Sequence, residues 1–221
     1  MDLLEAMAVR HSVRRYTEQA IDADVRLALE DEVARCNADS GLHLQLAFDE
    51  PRAFSGKLAE YGHFVNANNY LSVVMPSQAG FEEIAGYYGE QIVLKATTLG
   101  LNTCWVGLNY SKAKCACTIG PGEKLRCVIS LGYGATQGRP HKSKPLESLC
   151  KVDGEMPDWF RAGMEAALLA PTAINQQKFM FTLSGNQVQA TTGLGPFAHV
   201  DLGIAKYHFA LGAGLDNFTW A

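Results

Sequence analysis

Between Arg10 and Arg15 the chain reads Arg-His-Ser-Val-Arg-Arg: three guanidiniums, an imidazole and a hydroxyl within six residues. The formal net charge of the 221-residue chain is only −4, so this density of positive charge is local. Arginine forks donate several hydrogen bonds in one plane and stay charged, which suits phosphate, and serine adds a compact donor beside them. The plainer alternative is a solvated helix end, where cations complement the C-terminal dipole. Neither G-x-G-x-x-G nor G-x-x-x-x-G-K-[ST] occurs, so a dinucleotide fold or a P-loop does not account for a phosphate site.

Other chemistry-bearing residues are ambiguous when read singly. Asn66 and Asn69 suit a turn between a helix and a strand. Trp105 suits core filling, and Lys142 and Lys144 an ordinary solvated loop. His208 falls on an apolar helix, as a satisfied core histidine would. Cys104 reads as structural, and Tyr87 and Tyr88 as packing. Cys115-Ala-Cys117 has no second Cys or His pair at ligand spacing, so no metal is expected.

The bulk properties exclude several classes. A sequence pI near 5.9 argues against a nucleic-acid binder. No apolar run reaches the roughly 18–20 residues of a membrane span. The start, "MDLLEAMAVR", is acidic and has no apolar signal core. With that start, the six cysteines read as reduced thiols in a cytoplasmic protein. At 48% hydrophobic the chain has ample material for a core. The expectation is one domain over 1–221, with a subdivision near 138–150 as the alternative.

The elements that must position these residues follow from pattern. A short helix runs from Asp2 to Val9 and stops before the basic stretch, which is then irregular or extended. "IDADVRLALEDEVARCN" is a helix capped by Asp22 or Asp24. "LHLQLAF" and "YLSVVM" are strands, the second ended by Pro76. "FEEIAGYYGEQIVLKATTLGL" is a long, largely buried helix closed by Gly100. "LRCVISLGYG" is an apolar strand, and "GATQGRPHKSKPLES" a loop. Pro157 or Asp158 opens a helix that Pro171 terminates. "KFMFTLSGNQVQATT" reads as a hairpin around Ser184-Gly185-Asn186. "HVDLGIAKYHFALGAGL" is a last helix with Asp201 as cap; it resembles the long helix in outline, too weakly for a repeat. Strands and helices mix without regular βαβ alternation, so the fold class is α+β.

Four segments taken together carry a resemblance. R-x-S-x-R with a following aromatic (Arg10 to Tyr16), "FVNANNYL", "GEQIVLKATTLGLNTCWVG" and "APTAINQQKF" are similar to the motifs of the FMN-dependent nitroreductase family. The last motif lies far downstream of the first, as in a subgroup with rearranged order. Lys178 and Phe179 stand where the family has Pro and Trp, and Val106 where some members have a glutamate.

The resemblance implies a nitroreductase-like fold with a central mixed β-sheet flanked by helices, a homodimer, and FMN at the interface. It implies that Arg10, Ser12 and the His11 backbone hold the FMN phosphate and ribityl chain, and that Arg14 reaches the N1/O2 edge of the ring. Asn66 would meet the pyrimidine edge, with a weaker role for Asn69. Trp105, Val106 and Gly107 would form the turn beside the flavin. Lys142 and Lys144 would close over the phosphate, and Pro171, Thr172 and Asn175 would line the flavin, typically from the partner subunit. The implied activity is hydride transfer from NAD(P)H through FMN to a small acceptor such as a nitroaromatic or a quinone, with ping-pong kinetics and no catalytic side chain. The alternative is an FMN-binding or degenerate relative without turnover.

Overall fold

A computed structural model describes residues 1–221. The chain forms α1 (Leu3–Val9), α2 (Ala23–Ser40), β1 (His43–Ala47), α3 (Lys57–Tyr61), β2 (Asn69–Pro76), α4 (Phe81–Thr98), β3 (Asn102–Val106) and β4 (Glu123–Gly132). These are followed by β5 (Cys150–Val152), α5 (Asp158–Ala167), β6 (Phe179–Ser184), β7 (Gln187–Thr192), α6 (Ala198–Ala213) and β8 (Thr219–Trp220). The fold is α+β.

The strands form two four-stranded sheets, β1-β2-β4-β3 and β5-β6-β7-β8, instead of the single central mixed sheet expected from the sequence. Strand composition reports burial, not pairing partners, so "LRCVISLGYG" and "KFMFTL" could not be assigned to different sheets by pattern. The first sheet is antiparallel throughout. The second is mixed: β5 runs parallel to β6, β6 antiparallel to β7, and β7 parallel to β8.

The residues cluster into two compact units. One holds 10–81 and 91–140; the other holds 1–9, 82–90 and 141–221. In the first, β2 is buried from Asn69 to Met75 without alternation, as a strand covered on both faces must be. Its core gathers Val13, Tyr16, Phe54, Phe64, Tyr70 and Val128. Helix α2 faces inward through Leu29, Val33 and Cys36, the i, i+4, i+7 spacing of one helical stripe. Asp22 stands at its N-cap, although its side chain makes no capping bond.

In the second unit α5 buries Phe160, Gly163, Met164 and Ala167, and α6 is buried almost all round. Phe209 stacks on Phe181 at 4.7 Å and meets Phe160 and Phe218 edge-on, so four aromatic rings fill the centre of this unit. Two sequence expectations need correction. Helix α6 begins at Ala198 with Phe197 as N-cap, so Asp201 is not the cap but a buried residue within the first turn. Helix α5 ends at Ala167, and Pro171 follows a short turn instead of ending the helix directly.

Candidate functional site

The Arg10–Tyr16 segment is extended and clamped from three sides. The Val13 N–H donates to the Thr103 carbonyl at 2.9 Å, and Ser12 pairs with Thr103 in parallel, so the segment continues the sheet beyond β3. Val65 donates to the Arg14 carbonyl at 3.0 Å, and Tyr16 donates back to Val65 at the same distance. Ala135 donates to the Arg15 carbonyl at 2.8 Å. Tyr16 is buried; its hydroxyl donates to Val13 O at 2.7 Å and lies 2.8 Å from the Ser130 hydroxyl. Burial raises the Tyr16 phenol well above its ordinary pKa, so it is a fixed neutral anchor.

This clamp fixes where the cations go. Arg10 is buried, whereas Ser12 and Arg14 are exposed. Cys104 of β3 lies in the field of these groups: burial raises its thiol, and Arg14, Ser12 and Arg10 oppose that shift. Arg14 also lies over the Phe64 ring, 5.9 Å from its centroid. Burial and then the Arg10 charge lower the His11 pKa, which disfavours a charged imidazolium beside the guanidiniums. The local donor set is therefore two guanidiniums and a hydroxyl, which is the chemistry that fits a phosphate and an electron-rich ring edge.

Asn66 joins this group. It takes a left-handed backbone, φ 54°, and its amide donates to the Tyr16 carbonyl at 3.2 Å. Asn69 does not join it in the same way. It is buried, and its carboxamide oxygen accepts the Asp49 N–H at 2.9 Å, which braces a turn. Trp105 and Val106 pair with Ile129 and Val128 of β4, and Gly107 follows at the strand end. Asn102–Val106 is therefore a full strand, where the sequence reading expects a turn after the helix.

The remaining candidates lie in the other unit, where they form a network of their own. Asn175 and Gln177 both donate to the Lys142 carbonyl at 2.9 Å. Gln177 also donates to Asn175 Oδ1 at 2.8 Å and accepts the Lys144 N–H at 2.8 Å. The Lys144 ammonium donates to the carbonyls of Gln176 and Gln177, each at 2.8 Å. Thr172 Oγ1 accepts the Gln177 N–H at 3.1 Å. Asp201 accepts from the Ala173 N–H at 3.0 and 3.1 Å and from Gln176 Nε2 at 2.7 Å. Pro171 precedes this loop and is half-buried. The structure thus gathers Lys142, Lys144, Thr172 and Asn175, but with most of their polar groups directed at main chain.

Gln177 and Asp201 are the hubs of that loop, and sequence reasoning missed both as site residues. Each is buried and meets several partners, which a single sequence does not reveal. The network supports a strained backbone: Ile174, Asn175 and Gln177 all have φ between 43° and 55°. For a β-branched residue that is a true outlier, yet Ile174 is 89% exposed.

His208 is a core histidine, as expected, and fully buried. Its Nδ1 is 3.1 Å from the Ala166 carbonyl and its Nε2 is 3.0 Å from Glu90 Oε1. All six cysteines are free thiols, and no group of three or more His, Cys, Asp and Glu side chains is placed to hold a metal ion. No helix is long and apolar enough to cross a membrane.

With this fold and donor set in view, the comparisons are specific. A family model described as "Putative TM nitroreductase" matches residues 2–213. The chain belongs to that nitroreductase family. It is similar in fold to a "putative nitroreductase" from Thermotoga maritima, 24% identical with a TM-score of 0.70, over 96% of this chain and 83% of that one. A "putative nitroreductase in complex with FMN" from Desulfovibrio desulfuricans is 22% identical with a TM-score of 0.51, over 71% of this chain and 99% of that one. A "Putative NADH dehydrogenase/NAD(P)H nitroreductase" from Bacteroides thetaiotaomicron is 18% identical with a TM-score of 0.51, over 66% and 95%. At these identities the likeness is one of fold. No curated protein matches the sequence.

Proposed function

We propose that the chain is an FMN-dependent oxidoreductase that takes electrons from NAD(P)H and delivers them to a small acceptor such as a nitroaromatic or a quinone. The observation that carries this reading is the placement of Arg10, Ser12 and Arg14 on one clamped, strand-like segment beside β3. FMN, when bound, supplies the hydride chemistry, and that is why no nucleophile or metal ligand is needed.

The chain's own residues bind and tune. Arg10, held buried, and Ser12, held exposed, would take the phosphate with charge-assisted bonds. Arg14 would sit at the N1/O2 edge, where a fixed cation stabilises negative charge arising on reduction. Asn66, already oriented by its bond to the Tyr16 carbonyl, would offer an amide to the pyrimidine edge. The main chain after β3, at Val106 and Gly107, would approach the ring closely because glycine has no Cβ. The extensive hydrogen bonding of the Arg10–Tyr16 backbone keeps these groups in place before the cofactor arrives, which lowers the ordering cost of binding.

Initial rates of NADH or NADPH oxidation against a quinone or a nitroaromatic test the activity. Parallel double-reciprocal lines are expected, since nicotinamide leaves before the acceptor binds. Intersecting lines, or an absence of turnover in FMN-loaded protein, would contradict the reading.

A further inference from the structure

We propose that the chain is a tandem duplication of one α-β-β-α-β module, and that its two copies pair with each other through α4 and α6 inside a single polypeptide, so that the protein is a monomer with one flavin receptor. The flavin count rests on the function proposed above; the in-chain pairing does not.

The element order repeats. Apart from the five-residue α3 inserted between β1 and β2, the first copy runs α2, β1, β2, α4, β3, and the second α5, β6, β7, α6, β8. The strand directions repeat as well. β1 and β2 are antiparallel, as are β6 and β7. β2 and β3 are both antiparallel to β4, hence parallel to each other, and β7 is parallel to β8. The second helices carry a residual sequence match. Gly89, Ala96, Gly100 and Leu101 recur at identical spacing as Gly203, Ala210, Gly214 and Leu215. Asn102 and Trp105 recur as Asn217 and Trp220 after one added residue. Gly100 and Gly214 both follow their helices with positive φ, 83° and 75°. These particulars replace the weak likeness of outline seen in the sequence with a defined correspondence.

That correspondence identifies an isologous contact. At the same spacing, Gly86 corresponds to Val200 and Gly89 to Gly203. A Cβ built on Gly86 would overlap the Val200 carbonyl and come within 3.1 Å of Gly203 Cα, and one on Gly203 would overlap the Glu83 carbonyl. A residue that touches its own equivalent lies beside a two-fold axis, which is the geometry of a symmetric dimer interface. Here the first turns of α4 occupy that face of α6. The Lys206 ammonium on Glu83 at 2.6 Å and Tyr87 against Tyr207 at 5.1 Å reinforce the same crossing. A second chain has no such face left to dock on.

The copies have diverged in what they can bind. R-x-S-x-R precedes α2 by a few residues, with Asp22 at the N-cap. Counting back equally from Pro157, the N-cap of α5, puts Pro145, Glu147 and Leu149 where Arg10, Ser12 and Arg14 stand. The second copy thus has no phosphate receptor of its own at this place.

The test is light scattering coupled to gel filtration on FMN-loaded protein, with flavin and protein quantified across the peak. A single-chain mass near 24.0 kDa with one FMN per chain is expected. Thermal unfolding should also occur at the same temperature over a hundredfold range of protein concentration, because no association is linked to folding. A two-chain mass, or a melting temperature that rises with concentration, would overturn the in-chain pairing whatever the flavin content. Two FMN per chain would overturn the single receptor. A single-chain mass without retained flavin would support the pairing and contradict the proposed function, so the two failures are separable.

Discussion

Two basic segments of this protein look alike in sequence and are used in opposite ways. In the Arg10–Arg15 stretch the backbone carries the structural hydrogen bonds, so Ser12 and Arg14 remain exposed with Arg10 packed behind them. In the 141–144 stretch the Lys144 side chain carries the structure, its ammonium holding two carbonyls, while Lys142 enters only through its main-chain carbonyl, an acceptor for Asn175 and Gln177. Lys144, whose donors are directed at main chain, is a brace; Arg14, exposed on a segment held by its backbone, is the proposed receptor. Charge density alone does not separate the two.

The sharpest way to break that contrast is at Arg14. Arg14→Ala is expected to weaken FMN binding about thirtyfold, since a charge-assisted hydrogen bond is worth about 2 kcal/mol. Arg139→Ala, an exposed arginine in a loop, should leave the titration unchanged. Equal losses in the two variants would remove the distinction between receptor and ordinary surface charge. In the other region the effect should appear in stability. Asp201→Ala removes a buried carboxylate that holds the Ala173 N–H and Gln176, and should cost about 3 kcal/mol in denaturant unfolding. An unchanged midpoint would show that the 172–177 loop needs no such hub.

Smaller effects sharpen the same comparison. Ile174→Asn should stabilise the protein by about 1 kcal/mol, because asparagine tolerates the left-handed backbone that isoleucine strains and no burial is lost at 89% exposure. Lys144→Ala should cost about 1 kcal/mol in thermal unfolding and Lys142→Ala almost nothing, reflecting one ammonium bonded to two carbonyls and one carrying no such bonds. Reversal of that order would make Lys142 the brace. Burial raises the Cys104 thiol, so its reactive thiolate form is further suppressed at pH 8, and folded protein should resist alkylation there until it is denatured.

What could be read in the sequence depended on how local its cause was. α2, β1, β2 and α4 announce themselves through periodicity, β-prone runs and, for α4, the closing residue Gly100. β5 and β8 span three and two residues, too few for any pattern to form. β3 directly follows the long helix and was absorbed into its turn. Asp201 has the type and place of a helix cap, and only the start of α6 at Ala198 turns it into a buried acceptor. The R-x-S-x-R donors are visible as residues, but their placement beside β3 depends on the pairing of Ser12 with Thr103, far away in the chain. The duplication was hidden for the same reason: strand direction and helix order persist after most side-chain identities have drifted.

The most direct measurement is the visible absorption spectrum of the protein after incubation with FMN and gel filtration, recorded before and after NAD(P)H under nitrogen. A retained flavin spectrum that bleaches with the nicotinamide, and that Arg14→Ala protein fails to retain, is the expected result. A colourless protein after gel filtration, or a bound flavin that no nicotinamide reduces, would contradict a redox role for the Arg10–Arg14 receptor.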